Sequence, residues 1–128
     1  MYKCGITGYR GVLGKEIIKK LNFKFNFFKG DICNKKHVYK WVIKNDFDLI
    51  LHLAAVVPVD MVEKDFQYAK NVNFNGTKNL IQSIIKSKKK LTWFFYSSTS
   101  HVYSYQKNFR KIKENYKKIP KSKYGKTK

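Results

Sequence analysis

The sequence predicts an α/β fold built on a doubly wound parallel sheet, and three observations carry that prediction. A glycine-rich turn, Thr7-Gly8-Tyr9-Arg10-Gly11-Val12-Leu13-Gly14, joins a short strand-like run to a helix-like run. The segment Asp48-Leu49-Ile50-Leu51-His52-Leu53-Ala54-Ala55 is almost continuously apolar, as expected of a strand covered on both faces. Strand-like and helix-like segments alternate along the chain, the pattern of right-handed β-α-β units.

The first strand is expected at Met1-Tyr2-Lys3-Cys4-Gly5-Ile6. After the turn, Val12, Leu13, Ile17, Ile18 and Leu21 recur at spacings of three and four, predicting one apolar helix face. In such a turn Gly8 permits the tight bend, Gly11 lets a pyrophosphate come close, and Gly14 lets helix and sheet pack closely. The free N–H groups at the helix start then face an anion. This is the context of a dinucleotide site.

A second strand is predicted in Phe23-Lys24-Phe25-Asn26-Phe27-Phe28, which alternates apolar and polar residues. Asp31, in Gly30-Asp31-Ile32, lies 17 residues past Gly14, near the separation at which a dinucleotide fold places an acid on the adenosine ribose. A turn aspartate fits the same spacing. Asn34 is placed to cap a helix whose apolar stripe is Val38, Trp41 and Val42. At the end of the third strand, Ala54 and Ala55 leave room for a ligand, and His52 within the strand reads as a buried, hydrogen-bonded structural histidine.

A helix is predicted from about Glu63 to Lys86, with Ala69, Val72, Asn73, Gly76, Leu80 and Ile84 on one side. Gly76 implies a close approach to the sheet, and Asn73 on that side needs partners from strand backbone or water. Leu91-Thr92-Trp93-Phe94-Phe95-Tyr96 is the last clear strand. It leads into hydroxyls at Ser97-Ser98-Thr99-Ser100, at the strand end where open parallel sheets hold ligands. Residues 104–123 read as a polar loop.

The chain has 128 residues, one domain's worth, and a net charge of +20. Lysine supplies all the basic residues but Arg10 and Arg110. Such a charge raises nucleic-acid binding as a reading, yet the lysines are spread along the sequence without forming one stripe. Abundant Lys, Asn, Ile, Phe and Tyr together are the drift an AT-rich genome produces, so no specific nucleic-acid partner is expected. No stretch reaches the ~20 apolar residues of a membrane span, and the N-terminus enters the first strand without a signal peptide. Cys4 and Cys33 lack metal-ligand spacing and read as small core residues. A cytoplasmic protein without a metal site is expected.

These pieces together resemble the extended short-chain dehydrogenase/reductase family, and within it the nucleotide-sugar epimerases, dehydratases and reductases. The matching motifs are Thr7-Gly8-x-x-Gly11-x-x-Gly14, Gly30-Asp31-Ile32, His52-Leu53-Ala54-Ala55, Asn73-x-x-Gly76-Thr77-x-Asn79-Leu80, Ser97-Ser98-Thr99 before Val102-Tyr103, and Tyr124-Gly125-Lys126-Thr127-Lys128. Val59-Asp60-x-x-Glu63 and the last motif are similar to dTDP-4-dehydrorhamnose reductases. Two Tyr-x-x-x-Lys pairs occur, Tyr103/Lys107 and Tyr124/Lys128, about the number chance supplies. Tyr124 lies 25 residues beyond Thr99, which resembles the family's spacing, and is the preferred choice.

The resemblance implies a Rossmann-like doubly wound parallel sheet, truncated after the fifth strand, as a partial NAD(P)-binding domain over residues 1–128. It implies an NAD(P)-dependent oxidoreductase or epimerase acting on a nucleotide-sugar, with Thr99, Tyr124 and Lys128 as catalytic residues. The implied cofactor contacts are Gly8, Tyr9, Arg10, Gly11, Val12, Leu13, Asp31, Ile32, Leu53, Ala54, Ala55, Ser97, Tyr124 and Lys128. Arg10, with Lys29 nearby, fits a 2′-phosphate and leans the choice toward NADP, though both also read as solvated surface charges. Family members continue past the position of Lys128 with a substrate domain and dimerisation helices. The chain is therefore expected to be an N-terminal fragment whose last residues fray and which is inactive alone. The alternatives are a non-catalytic dinucleotide-binding fragment and a basic nucleic-acid-binding protein.

Overall fold

Four parallel strands run side by side in the order β2-β1-β3-β4, in a computed structural model that describes residues 1–103 and 111–128. They are β1 (Lys3–Thr7), β2 (Lys24–Phe27), β3 (Leu49–His52) and β4 (Trp93–Tyr96). The helices are α1 (Val12–Lys20), α2 (Lys35–Lys44), α3 (Val59–Lys64), α4 (Phe66–Lys70), α5 (Gly76–Ser87) and α6 (Lys123–Lys126). A π turn, Asn71–Asn75, joins α4 to α5, and a 3-10 turn, Ser100–Val102, follows β4. The α/β class and parallel sheet are as the sequence predicts. The strand count is not: among the described residues there are four strands, not five.

Register sets the two faces of the sheet. Cys4 pairs with Leu49 and Ile6 with Leu51, and these four buried side chains meet Ile17 and Ile18 of α1. The alternate residues face the other way. Ile50 packs there with Val38 and Val42 of α2, Leu80 of α5, and Phe28 and Ile32. Helices thus cover both faces, which is what double winding means. Because β2 and β3 lie on opposite sides of β1, the strand order reverses at the β1/β3 boundary. Open parallel sheets bind ligands beyond the strand ends at such a reversal.

Local chemistry explains several boundaries. Asn34 caps α2, its side chain accepting from the Lys36 and His37 amides at 3.0 and 3.3 Å; such a cap stabilises a helix by about 1 kcal/mol. The long helix expected from Glu63 instead begins at Val59 and is interrupted, because the Asp65 side chain accepts from the Tyr68 amide at 2.8 Å and starts a new helix. Gly76 makes the expected close approach, but its neighbour is Ile32, not the sheet: a Cβ on Gly76 would lie 2.9 Å from Ile32 Cγ2. Val12 and Leu13 depart from the predicted apolar face. They are 85% and 50% exposed at the open end of α1, and only Ile17 and Ile18 of the stripe pack on the sheet. The expected loop over residues 104–123 lies in part, residues 104–110, outside the described residues.

Candidate active site

The glycine turn sits at the β1/β3 reversal, and its three glycines have different reasons to be there. Gly8 has φ +72°, and a Cβ on it would lie 2.5 Å from the Ala54 nitrogen and 2.6 Å from the Leu53 carbonyl carbon. Nothing but glycine fits. A Cβ on Gly14 would lie 2.7 Å from both Gly8 O and Tyr9 Cα, so Gly14 lets α1 press on the turn itself, not on the sheet. Gly11 differs: a Cβ there would meet only Gly8 O, at 3.3 Å. Space over Gly11 is open. Gly11 also caps α1 without a side-chain hydrogen bond, which leaves the first-turn amides to a ligand or water. A cradle closed beneath Gly8 and open above Gly11 fits a pyrophosphate.

Beside this cradle lies a cleft of about 210 Å³ lined by Gly8, Tyr9, Arg10, Phe28, Lys29 and Gly30. Arg10 is held by its neighbour, with Nε donating to Tyr9 Oη at 3.1 Å and the guanidinium 5.4 Å from the Tyr9 ring centre. Asp31 follows the cleft but is occupied locally, its carboxylate accepting from the Cys33 amide at 2.9 Å. That is the turn role the sequence also allowed. Ile32, expected at the cofactor, is a core residue whose side chain is buried against α5.

On the far side of the turn, Leu53 N donates to Thr7 O at 3.2 Å and Ala54 N to Thr7 Oγ1 at 3.2 Å, so the Leu53–Ala55 segment is tied to the end of β1. His52 is buried and hydrogen-bonded at both ring nitrogens, as predicted: Nδ1 lies 2.7 Å from Thr7 Oγ1 and Nε2 2.8 Å from Thr77 Oγ1. Burial, with the Lys128 charge nearby, lowers its pKa to about 4. Asn73 finds the backbone partners it needs. Its side chain accepts from Val56 N at 2.7 Å and donates to Val56 O at 3.0 Å and to Thr127 Oγ1 at 2.9 Å.

The proposed catalytic residues occupy two neighbouring places. Tyr124 and Lys128 flank Thr127 at α6, where Ser122 caps the helix by accepting from the Gly125 amide at 3.0 Å. Tyr124 is buried with Val56, Val62 and Ala69, and burial raises its phenol above the usual tyrosine range. The Lys128 ammonium, pushed down by burial, donates to Ser97 O at 2.9 Å and lies 5.2 Å from the Tyr96 ring centre. It is paired with the end of β4, not with the Tyr124 phenol. The Thr99 hydroxyl accepts from the His101 amide at 3.3 Å, and the His101 ring stands edge-on to Tyr124, 5.7 Å between centres. The expectation that the terminal residues fray is at odds with this packing, since Thr127 is fully buried and held by Asn73. Of the competing pair, Lys107 lies outside the described residues, and Tyr103 Oη reaches Glu114 O at 3.5 Å.

Four residues here were not assigned by sequence reasoning. Thr7 and Thr77 bracket His52, Thr127 receives Asn73, and Tyr96 underlies Lys128. Thr7, Thr77 and Thr127 all lie inside the family-like motifs, so the signal was present. A second cavity of about 350 Å³ opens beside them, walled by Phe74, Ile81, Phe94 and Tyr96, with Thr127 and Lys128 also in its lining. Among the described residues there is no cluster of three or more potential metal ligands, and no helix is long and apolar enough to cross a membrane.

Fold and site together define an α/β domain of the extended short-chain dehydrogenase/reductase type. The family described as GDP-mannose 4,6 dehydratase matches residues 6–128, and the chain belongs to it. The chain is 31% identical to a UDP-N-acetyl-alpha-D-glucosaminuronate decarboxylase of Bacillus cytotoxicus, over 79% of this chain and 37% of that protein. Its structure superposes on a dTDP-4-dehydrorhamnose reductase of Bacillus anthracis in complex with NADP, with a TM-score of 0.85 and 28% identity, covering 98% of this chain and 46% of that one. A Thermus thermophilus UDP-glucose 4-epimerase in complex with NAD shares the fold, with a TM-score of 0.83, 20% identity and coverage of 98% and 47%. The chain thus spans less than half the length of each of these proteins.

Proposed function

We propose that this chain is the cofactor-binding part of an NAD(P)-dependent enzyme acting on a nucleotide-sugar. The observation that carries the reading is the cradle at the β1/β3 reversal, closed under Gly8 and open over Gly11. Gly8 and Gly11, with the first-turn amides of Val12 and Leu13, would hold the pyrophosphate. Tyr9 and Arg10 would flank its adenosine side, with Asp31 near the adenine or ribose. Leu53, Ala54, Ala55 and Ser97 would line the path to the nicotinamide. The bound dinucleotide would supply or accept the hydride. The chain's own residues would handle the proton: a phenol is protonated at neutral pH, burial favours that form further, and Tyr124 would be the donor. Thr99 accepts a backbone amide and keeps its hydroxyl proton for the reacting oxygen. Lys128 would hold the nicotinamide ribose. Arg10 and Lys29, in one cleft, favour NADP.

The test is fluorescence titration of NADH and NADPH into the wild-type chain and Gly11→Val. Because a side chain at Gly11 meets little protein, the variant should fold and lose binding. Equal affinities would remove the site.

A further inference from the structure

Thr7, His52, Thr77 and Asn73 form one line of buried and part-buried hydrogen bonds from the glycine turn to α6, and proton counting fixes its direction as far as Asn73. A hydroxyl has one proton. Thr77 Oγ1 donates its proton to Asn73 O at 2.6 Å, so it accepts from His52, and the ring proton sits on Nε2. Nδ1 is then the acceptor. Thr7 donates to it at 2.7 Å, and its oxygen in turn accepts from the Ala54 amide. At the other end the Asn73 side chain donates to Thr127 Oγ1, which passes its own proton to Tyr124 O at 2.7 Å. Each proton then has one place, and because the line enters Asn73 at its backbone carbonyl and leaves from its side-chain amide, the coupling crosses that residue through its position. Asn73 stands in the π turn, a widened turn of the kind that gathers at functional positions. Both ends of the line belong to the site. Thr7 precedes Gly8 and Ala54 packs against it, and Thr127 lies between Tyr124 and Lys128.

We infer that His52, protonated on Nε2, is a positioning residue that couples the dinucleotide turn to the turn bearing Tyr124 and Lys128, so that ordering either end tightens the other. This rests on the proposed function for its purpose, but its physical content does not need turnover. A His52 that merely fills the core would stabilise both ends equally and transmit nothing between them. A coupled line transmits a local change to the remote end, and the effect is reciprocal.

The experiment is nuclear magnetic resonance on the labelled chain. The His52 ring nitrogens report the tautomer, and amide exchange is read at Ala54 and Thr127 relative to Ile50, which reports global opening. The expected tautomer is Nε2–H. Thr7→Val should speed exchange at Thr127 by about fivefold or more, Thr127→Val should do the same at Ala54, Thr77→Val at both, and Thr77→Ser at neither. Adenosine diphosphate, which reaches the glycine turn but not Lys128, should slow exchange at Thr127 in the wild type and not in Thr77→Val. An Nδ1–H tautomer, or a remote amide that keeps pace with Ile50 in the Thr7 and Thr127 variants, would overturn the inference. If NADPH does not bind, the proposed function fails, while the tautomer and the reciprocal exchange effects still decide this point.

Discussion

Asn73 and Thr127, 54 residues apart in sequence, share a buried hydrogen bond of 2.9 Å that pins α6 to the π turn. The same Asn73 side chain closes two bonds with Val56, so one amide holds three chain segments together. Asn73→Ala would strand the Val56 amide and carbonyl and release Thr127. The expected loss is about 2–4 kcal/mol, read from urea unfolding. A loss under ~1 kcal/mol would mean that water replaces the amide.

Gly8 and Gly11 should respond oppositely to alanine. At Gly8 the left-handed backbone and the Ala54 nitrogen 2.5 Å from a Cβ should cost more than about 3 kcal/mol or prevent folding. Gly11→Ala should change stability by less than ~1 kcal/mol, because only Gly8 O at 3.3 Å is near. Thermal melts of both variants distinguish a backbone requirement from a ligand requirement.

His52 should make stability depend on pH. Burial, helped by the nearby Lys128 ammonium, holds its pKa at about 4 in the folded protein, against 6.5 for a free histidine. The unfolded chain therefore binds the extra proton between those values. Stability is full above pH 6.5 and falls as the pH drops toward 4, by up to ~3 kcal/mol. Denaturant midpoints at pH 7 and pH 4.5 should differ, and the difference should shrink in His52→Gln. An unchanged difference would assign the pH dependence to other groups.

Arg10 and Lys29 should set cofactor preference if they hold a 2′-phosphate. NADPH should then bind more tightly than NADH, with Arg10→Ala narrowing the gap by about tenfold, as expected for one charge-assisted bond. A wild-type preference for NADH would dispose of the clamp.

The choice of tyrosine has its own test. In a longer chain that contains these residues in frame, Tyr124→Phe should abolish NAD(P)H turnover with a 4-keto nucleotide-sugar. Tyr103→Phe should leave it intact. An active Tyr124→Phe would reassign the proton donor.

The backbone requirements were the most legible part of the sequence. Gly8 and Gly14 are dictated by sterics of the turn, Gly11 stands where the backbone leaves open space, and Asn34 and His52 behave as their local chemistry demands. Periodicity served less well where it reported an apolar stripe without saying what covers it, as at Val12 and Leu13. It also ran unbroken across Asp65, whose side chain restarts the helix, and across the π turn, so neither break was visible. The expected fraying of α6 is opposed by an anchor that local helix propensity does not register, the side chain of the distant Asn73. Pairing of the Lys128 ammonium with Ser97 O likewise depends on where β4 ends in space.

The position of β4 at one margin of the sheet has a practical consequence for the colloidal behaviour of this chain. Its outer backbone groups have no strand beside them among the described residues, and Trp93 is 55% exposed. Such a margin templates pairing with a second chain. At low ionic strength the net charge of +20 keeps molecules apart. Added salt shortens the reach of that repulsion to about 10 Å at 0.1 M and leaves the apolar margin free to meet another. Solutions of this chain should therefore cloud as salt is raised, the reverse of ordinary salting-in, and clear again when Trp93 is replaced by lysine.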